Sequence, residues 1–243
     1  MTLDRRSTSV KMTLVTTPIQ RSPRRSDALS RERIVESSIE ILDTTGESGL
    51  TVRAVTTHLE TGRGAIYHHV SGKDDLLAAA TDGVIRRVLA RIQPDDDPRQ
   101  AVRSLALGVF EAIDTHPWVG TQLSRDPFQP AVLQIWTNVG TCLQRLGLRG
   151  TARSDAGAAL VNYVVGAAAQ HAAGAARATD DGVRAQFLDA LAARWAQQDS
   201  DSLVQESASL LREHDDREQF LAGVDIFLTG ITDPSTDEDP PQS

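Results

Sequence analysis

Between Ser30 and Gln93, apolar residues recur three and four positions apart with polar breaks between the runs, and this spacing predicts four helices. Ile34, Val35, Ile39 and Leu42 form one face of a first helix, which starts at the cap Ser30 and runs to about Thr45, where Gly46 stops it. Leu50, Val52, Val55 and Leu59 supply the inward side of a short second helix at about 52–59. After a break at Thr61-Gly62, Ile66 and Val70 do the same for a third at about 63–69. Ser71 is expected to cap the fourth, with Asp74 three residues on in a capping-box-like arrangement. Leu77, Ala80, Val84, Val88 and Ile92 then make a continuous stripe as far as Pro94.

Pro94 to Pro98, with three aspartates between, marks a boundary. Asp97-Pro98 opens the next helix as a cap followed by a first-turn proline. Val102, Leu105, Val109 and Ile113 face one way until His116-Pro117 breaks the run. Pro130 opens another helix to about Leu146, closed by Gly147. The longest helix is expected from about Arg153 to Ala178, followed by stretches at 183–197, 203–213 and 217–231, the last carrying Phe220, Val224, Phe227 and Ile231. No β alternation and no repeat is visible, so the chain reads as all-α. Gly166 and Gly174 stand out within the longest helix, because a glycine there costs about 1 kcal/mol relative to alanine. Close approach of another helix would offset that.

Composition sharpens this outline. Hydrophobic residues make up 40% of the chain but aromatics only 4%, so aliphatic and alanine packing must dominate, as suits helix bundles. The net charge is −8, unevenly spread: residues 1–93 hold 14 Lys+Arg against 11 Asp+Glu, and residues 94–243 hold 11 against 22. A basic front on an acidic body fits one end that meets phosphate and another kept off it. Cys142 is the single cysteine, which excludes an internal disulfide framework and fits a reducing, cytoplasmic setting. No uncharged apolar run is long enough for a membrane span, and Met12-Thr13-Leu14-Val15 is too short for a secretion signal.

Residues 50–70 carry the most pointed chemistry. Two short helices around a tight turn form a helix-turn-helix pattern, with Arg63, Tyr67, His68 and His69 left beside the inward Ile66 and Val70. Arg63 has the fork that pairs with guanine O6 and N7, worth about 1–3 kcal/mol of discrimination. Gly64 and Ala65 let the backbone lie close to a duplex. Tyr67 offers a flat ring and a hydroxyl, and Lys73 places a point charge where free helix N–H groups already favour phosphate. Tyr67 and His69 equally suit packing under the fourth helix. His58, His68 and His69 lack a recognisable ligand spacing, so no metal or cofactor is expected. Neither HExxH, Gly-x-Ser-x-Gly, a Walker loop nor a dinucleotide fingerprint occurs, so no enzyme is expected.

These blocks together — Leu29-Ser-Arg-Glu-Arg-Ile-Val-Glu36, Gly49-Leu-Thr-Val-Arg53, Gly64-Ala-Ile-Tyr-His-His-Val70 and Lys73-Asp-Asp-Leu-Leu77 — resemble the tetracycline-repressor (TetR) family of bacterial transcriptional regulators. His116-Pro117-Trp118 and Asn162-Tyr163-Val164-Val165-Gly166 resemble its tetracycline-repressor type of C-terminal domain more loosely. Composition, rich in Ser, Thr, Arg and Pro over 1–28 and in acids and prolines over 233–243, is expected to leave a disordered basic arm and a disordered acidic tail. The resemblance implies a three-helix DNA-binding domain over 29–75 and a helical ligand-binding and dimerisation bundle over 76–232. It further implies a homodimer through helices at about 153–178 and 217–231, bound to a double-stranded DNA operator and released by a small-molecule effector. DNA-facing positions carried over from the family are Thr51, Arg53, Arg63, Gly64, Tyr67, His68, His69 and Lys73.

Two positions depart from the family pattern: Glu60 stands where most members have the glycine of the turn, and Gly62 where a capping Ser or Asp is common. Glu60 is expected to force a different turn and to weaken DNA binding, which keeps open a helical binding module with reduced DNA recognition. An activator is open too. Candidate effector contacts are Trp118, Phe128, Trp136, Asn162, Tyr163, Gln170 and His171, with Trp195 as a further wall. Tetracycline-type members place a metal-anchoring histidine a few residues beyond the position of His116; none occurs here through Leu123, so an apolar or aromatic effector is expected rather than magnesium–tetracycline.

Overall fold

The computed structural model describes residues 29–93, 96–126, 128–175, 181–198, 201–211 and 215–231. The expected arm and acidic tail lie outside them. Every regular element among the described residues is a helix: α1 Arg31–Gly49, α2 Val52–His58, α3 Arg63–Tyr67, α4 Lys73–Leu89, α5 Pro98–Thr115, α6 Pro117–Arg125, α7 Pro130–Arg145, α8 Gly150–Ala175, α9 Asp181–Gln198, α10 Ser202–Leu210 and α11 Asp216–Gly230. None is long and apolar enough to cross a membrane.

Ser30 caps α1 by accepting from the Arg33 N–H at 3.3 Å, satisfying a donor that the first turn leaves open. Gly46 does interrupt this helix, at φ 68° and ψ −173°, but the chain kinks and winds on to Gly49 instead of stopping. That extra turn carries Glu47. The cap of α4 also differs from expectation. Gly72, not Ser71, occupies the cap and offers no side chain, and it is Asp75, not Asp74, that reaches back to the Ser71 N–H at 2.9 Å. The reciprocal bond therefore forms one residue further along, because the helix starts one residue later. Asp97 accepts from the N–H groups of Arg99 and Gln100, both at 3.0 Å, and Pro98 follows as the sequence implied.

Helix α6 is an element that the periodicity did not single out. Pro117 opens it without delay after α5, and Val119 and Leu123, four apart, are buried. Around it the layers follow from which faces are apolar. Helix α8 packs against α5, α6, α7 and α11, while α4 joins α1 on one side to α5, α6 and α7 on the other. A single buried cluster runs from Ile34 through Ile66, Ile85, Leu105, Ile135 and Leu160 to Leu228. Each such side chain contributes about 1.5–3 kcal/mol by leaving water. The close contact of α8 with α11 needs Gly223, where a Cβ would lie 1.9 Å from the Tyr163 hydroxyl. At Gly166, by contrast, a Cβ would meet nothing within 4 Å, and the surroundings of Gly174 lie outside the described side chains.

Candidate nucleic-acid interface

Buried residues hold the helix-turn-helix from beneath. Val55 on α2, Ile66 on α3 and Val70 just beyond it are all at most 3% exposed, and Leu50 closes the same core. Fixing Ile66 inward turns its neighbours outward. Arg63, Gly64 and His68 are exposed, Tyr67 is 55% exposed, and an added Cβ at Gly64 would face open space. Arg53 is exposed on α2. Thr51 is exposed too, and its hydroxyl oxygen accepts from the Ala54 N–H at 3.0 Å, which leaves the hydroxyl hydrogen to donate to an anion. Lys73 is half-buried in the first turn of α4. His69 is half-buried as well, between the outward face and the core, and its carbonyl lies 3.5 Å from Arg31 Nη1. Neither Arg63 nor Tyr67 packs under α4.

Glu60 lies in the turn between α2 and α3. This residue takes the left-handed conformation, φ 50°, in which its N–H donates to the Thr57 carbonyl at 3.3 Å and that of Thr61 to Thr56 at 3.0 Å. Glycine is the residue that enters this region freely, so Glu60 holds the turn at a cost in local strain. Gly62 caps α3 in an extended conformation without a side-chain bond. His58 lies 2.9 Å from Glu40 on α1, and no cluster of metal-ligating groups occurs among the described residues.

A row of polar contacts ties this reader to the rest of the chain. Asp43 Oδ1 on α1 receives Trp118 Nε1 at 2.7 Å and His116 Nδ1 at 2.8 Å. One turn on, Glu47 receives both Nη atoms of Arg125 at 3.0 and 2.9 Å and Gln122 Nε2 at 3.0 Å. The forked bond from Arg125 holds the Glu47 carboxyl below its ordinary range, with a smaller contribution from the nearby Lys73 charge. The same pair pushes the Arg125 guanidinium up. Of the residues in this row, only Trp118 was picked out from the sequence as a candidate contact. Pro117 at a helix start and the Val119–Leu123 spacing were the available signals for α6, but nothing local marks its partners.

The candidate effector contacts do not converge. Phe128 is 79% exposed; Asn162 and Gln170 face outward on α8, and Trp195 is exposed on α9. Trp136 packs where Gly157 leaves room. Tyr163 donates to the Phe220 carbonyl at 3.1 Å and stacks on the Phe220 ring, and burial pushes its phenol up. His171 stacks on Phe110 with its two ring nitrogens 3.0 Å from Asp114 and 2.8 Å from Asp216, tying α5, α8 and α11 together. Of this set, Trp118 lines a cleft of about 440 Å³ between α6 and α8.

Residues 34–80 match the family of bacterial regulatory proteins, tetR family. Over 84% of this chain and 97% of the other, the fold matches that of the transcriptional regulator SCO7222, a TetR from Streptomyces coelicolor, at 44% identity and a TM-score of 0.75. ActR from the same organism, solved in complex with actinorhodin, shares the fold at 22% identity and a TM-score of 0.66, over 84% of this chain and 96% of that one. The HTH-type transcriptional repressor DrrR1 of Streptomyces coeruleorubidus is 30% identical over 58% of this chain and 53% of its own length. The first curated relatives matched are thus covered over 63% and 53% of their lengths. With a near-complete match to SCO7222, a family motif over α1–α4 and outward-facing groups on α3, the chain belongs to the TetR family of bacterial transcriptional regulators.

Proposed function

We propose that this protein is a homodimeric, effector-released repressor that reads a near-palindromic operator through α2, α3 and the start of α4. One observation carries the reading: Ile66 is wholly buried, while Arg63 and Tyr67 on the same five-residue helix are exposed to solvent. Arg63, Gly64, Tyr67 and His68 then meet base edges and the adjoining backbone, while Thr51, Arg53, His69 and Lys73 bind phosphate. Residues 29–75 act as reader and 76–232 as sensor and dimer body, with α4 crossing from one to the other. A repressor sign is supported by the naming of DrrR1, and an effector in the body by the actinorhodin complex of ActR. Membership of a regulator family leaves no enzyme here. Its place of work is the cytoplasm, where the operator is.

Two copies are expected to pair through the outward faces of α8 and α11. There Ala159 and Asn162 on α8 are exposed, Gly166 is open, and Ile226 on α11 is 73% exposed. Two-fold pairing would set the α3 helices about 34 Å apart, one turn of duplex. An effector favouring a different separation lowers DNA affinity through that difference alone.

A gel shift with the DNA upstream of its own gene tests this. Binding should be sequence-dependent and fall steeply with salt. Arg63→Ala should lose about 1–3 kcal/mol and relax the preference at one base position. Failure to bind any duplex, including those from a random pool, would leave a helical binding module as the better reading.

A further inference from the structure

Helix α6 lies between two neighbours. Toward α1, its cap His116 and its own Trp118, Gln122 and Arg125 are gripped by Asp43 and Glu47. Toward α8, Pro117, Trp118, Thr121 and Ser124 face Ala169 and Ala173 across the 440 Å³ cleft. Trp118 belongs to both sides. Its ring walls the cleft, its N–H bonds Asp43, and it is only 9% exposed.

We propose that the α6–α8 cleft binds an uncharged, flat aromatic molecule, and that Trp118 transmits its arrival to the DNA reader through Asp43 on α1. This rests on the effector-controlled reading above and adds a site and a route to it. The lining selects the ligand class. Among the described residues no charged side chain lines the cleft, and the polar side-chain groups of its lining are the Thr121 hydroxyl, the Ser124 hydroxyl, which donates to the Gly120 carbonyl at 2.9 Å, and the Trp118 N–H, which is taken up by Asp43. A charge entering here would be desolvated without a partner. An indole and a row of alanine methyls favour a ring system. The volume falls within the span of small-molecule sites, about 300–1,000 Å³.

The route is set by the bonds. A ring wedged beside Trp118 displaces the indole, and a bond of 2.7 Å tolerates little displacement. Asp43 and Glu47 are one turn apart, so α6 and the end of α1 move together. At its other end α1 meets the reader, where Arg31 Nη1 lies 3.5 Å from the His69 carbonyl beyond α3. This path runs along α1 and is separate from the α4 crossing.

The test uses acridone, a neutral tricycle that absorbs in the range of tryptophan emission, on full-length protein carrying Trp136→Phe and Trp195→Phe, so that Trp118 alone emits. Acridone should quench Trp118 saturably and, at saturation, weaken duplex binding about tenfold. Adding Asp43→Ala should leave the quenching and cut the acridone effect on duplex binding to under about twofold. Ala173→Phe, at an exposed position, should fill the cleft and remove both responses. Unsaturable quenching, quenching that survives Ala173→Phe, or an Asp43→Ala protein that responds like its parent would overturn the proposal. Absence of duplex binding in every protein would instead overturn the regulator reading and the coupling with it, while quenching still decides the cleft.

Discussion

At φ 50°, Glu60 is the non-glycine residue with a positive φ among those described, and it sits where the chain turns from α2 into α3. An L-residue in that conformation costs roughly 1–2 kcal/mol, which glycine avoids at the expense of a more flexible unfolded chain. Glu60→Gly is therefore expected to stabilise the fold by about 1 kcal/mol, seen as a higher urea midpoint with unchanged slope. Operator binding should also tighten, because in the proposed complex a carboxylate is removed from beside the DNA backbone. No gain in stability would mean the turn relaxes around Glu60 at no cost. That the residue was unusual could be read from the sequence through the family pattern. That it sits there with a positive φ, between helices anchored by the buried Val55 and Ile66, could be read only from the structure.

Helices were legible where their determinants are local. Ser30, Asp97 and the Pro98 and Pro130 starts act within their own first turns, and the apolar stripes repeat every three or four residues. Helix α6 escaped notice because a proline after an apolar run reads equally as a stop and as a start. Its contact with α1 makes stability depend on pH. The Glu47 carboxyl is held low in the folded protein, so its pairing stabilises the fold above the ordinary glutamate value of 4.5 and is lost as pH falls through the lowered one. Glu47→Gln should therefore be less stable than the parent near neutrality, with the gap closing as pH falls below 4.5 and through the lowered value. Urea unfolding of both proteins across that range measures it; a gap that stays constant would mean the carboxylate charge contributes nothing. The Glu47 side chain is 34% exposed and that of Arg125 51%, so solvent screening keeps the effect modest.

Across the whole molecule, the basic excess of the first 93 residues and the acidic excess of the remainder assign two ends to two tasks. In the proposed dimer, pairing of two copies would set the reader against successive grooves. Ile226 is the sharpest probe of that pairing, because it is large, apolar and 73% exposed on α11, while its neighbours Val224 and Leu228 are buried. Ile226→Glu should leave the fold intact, since the side chain meets solvent in the single chain. It should shift sedimentation equilibrium toward monomer and weaken operator binding at a given protein concentration. An unchanged dimer would move the seam away from α11.

The chain's own pattern determined that it is helical and where its helix-turn-helix lies. Both rest on interactions within about four residues of each other along the chain. Only the tertiary structure decided that the effector candidates scatter, that His171 bridges Asp114 and Asp216, and that Asp43 meets Trp118 across a separation of 75 residues. Periodicity tells which face turns inward. Which carboxylate finds which donor there depends on how distant helices cross, and no spacing along one helix encodes that.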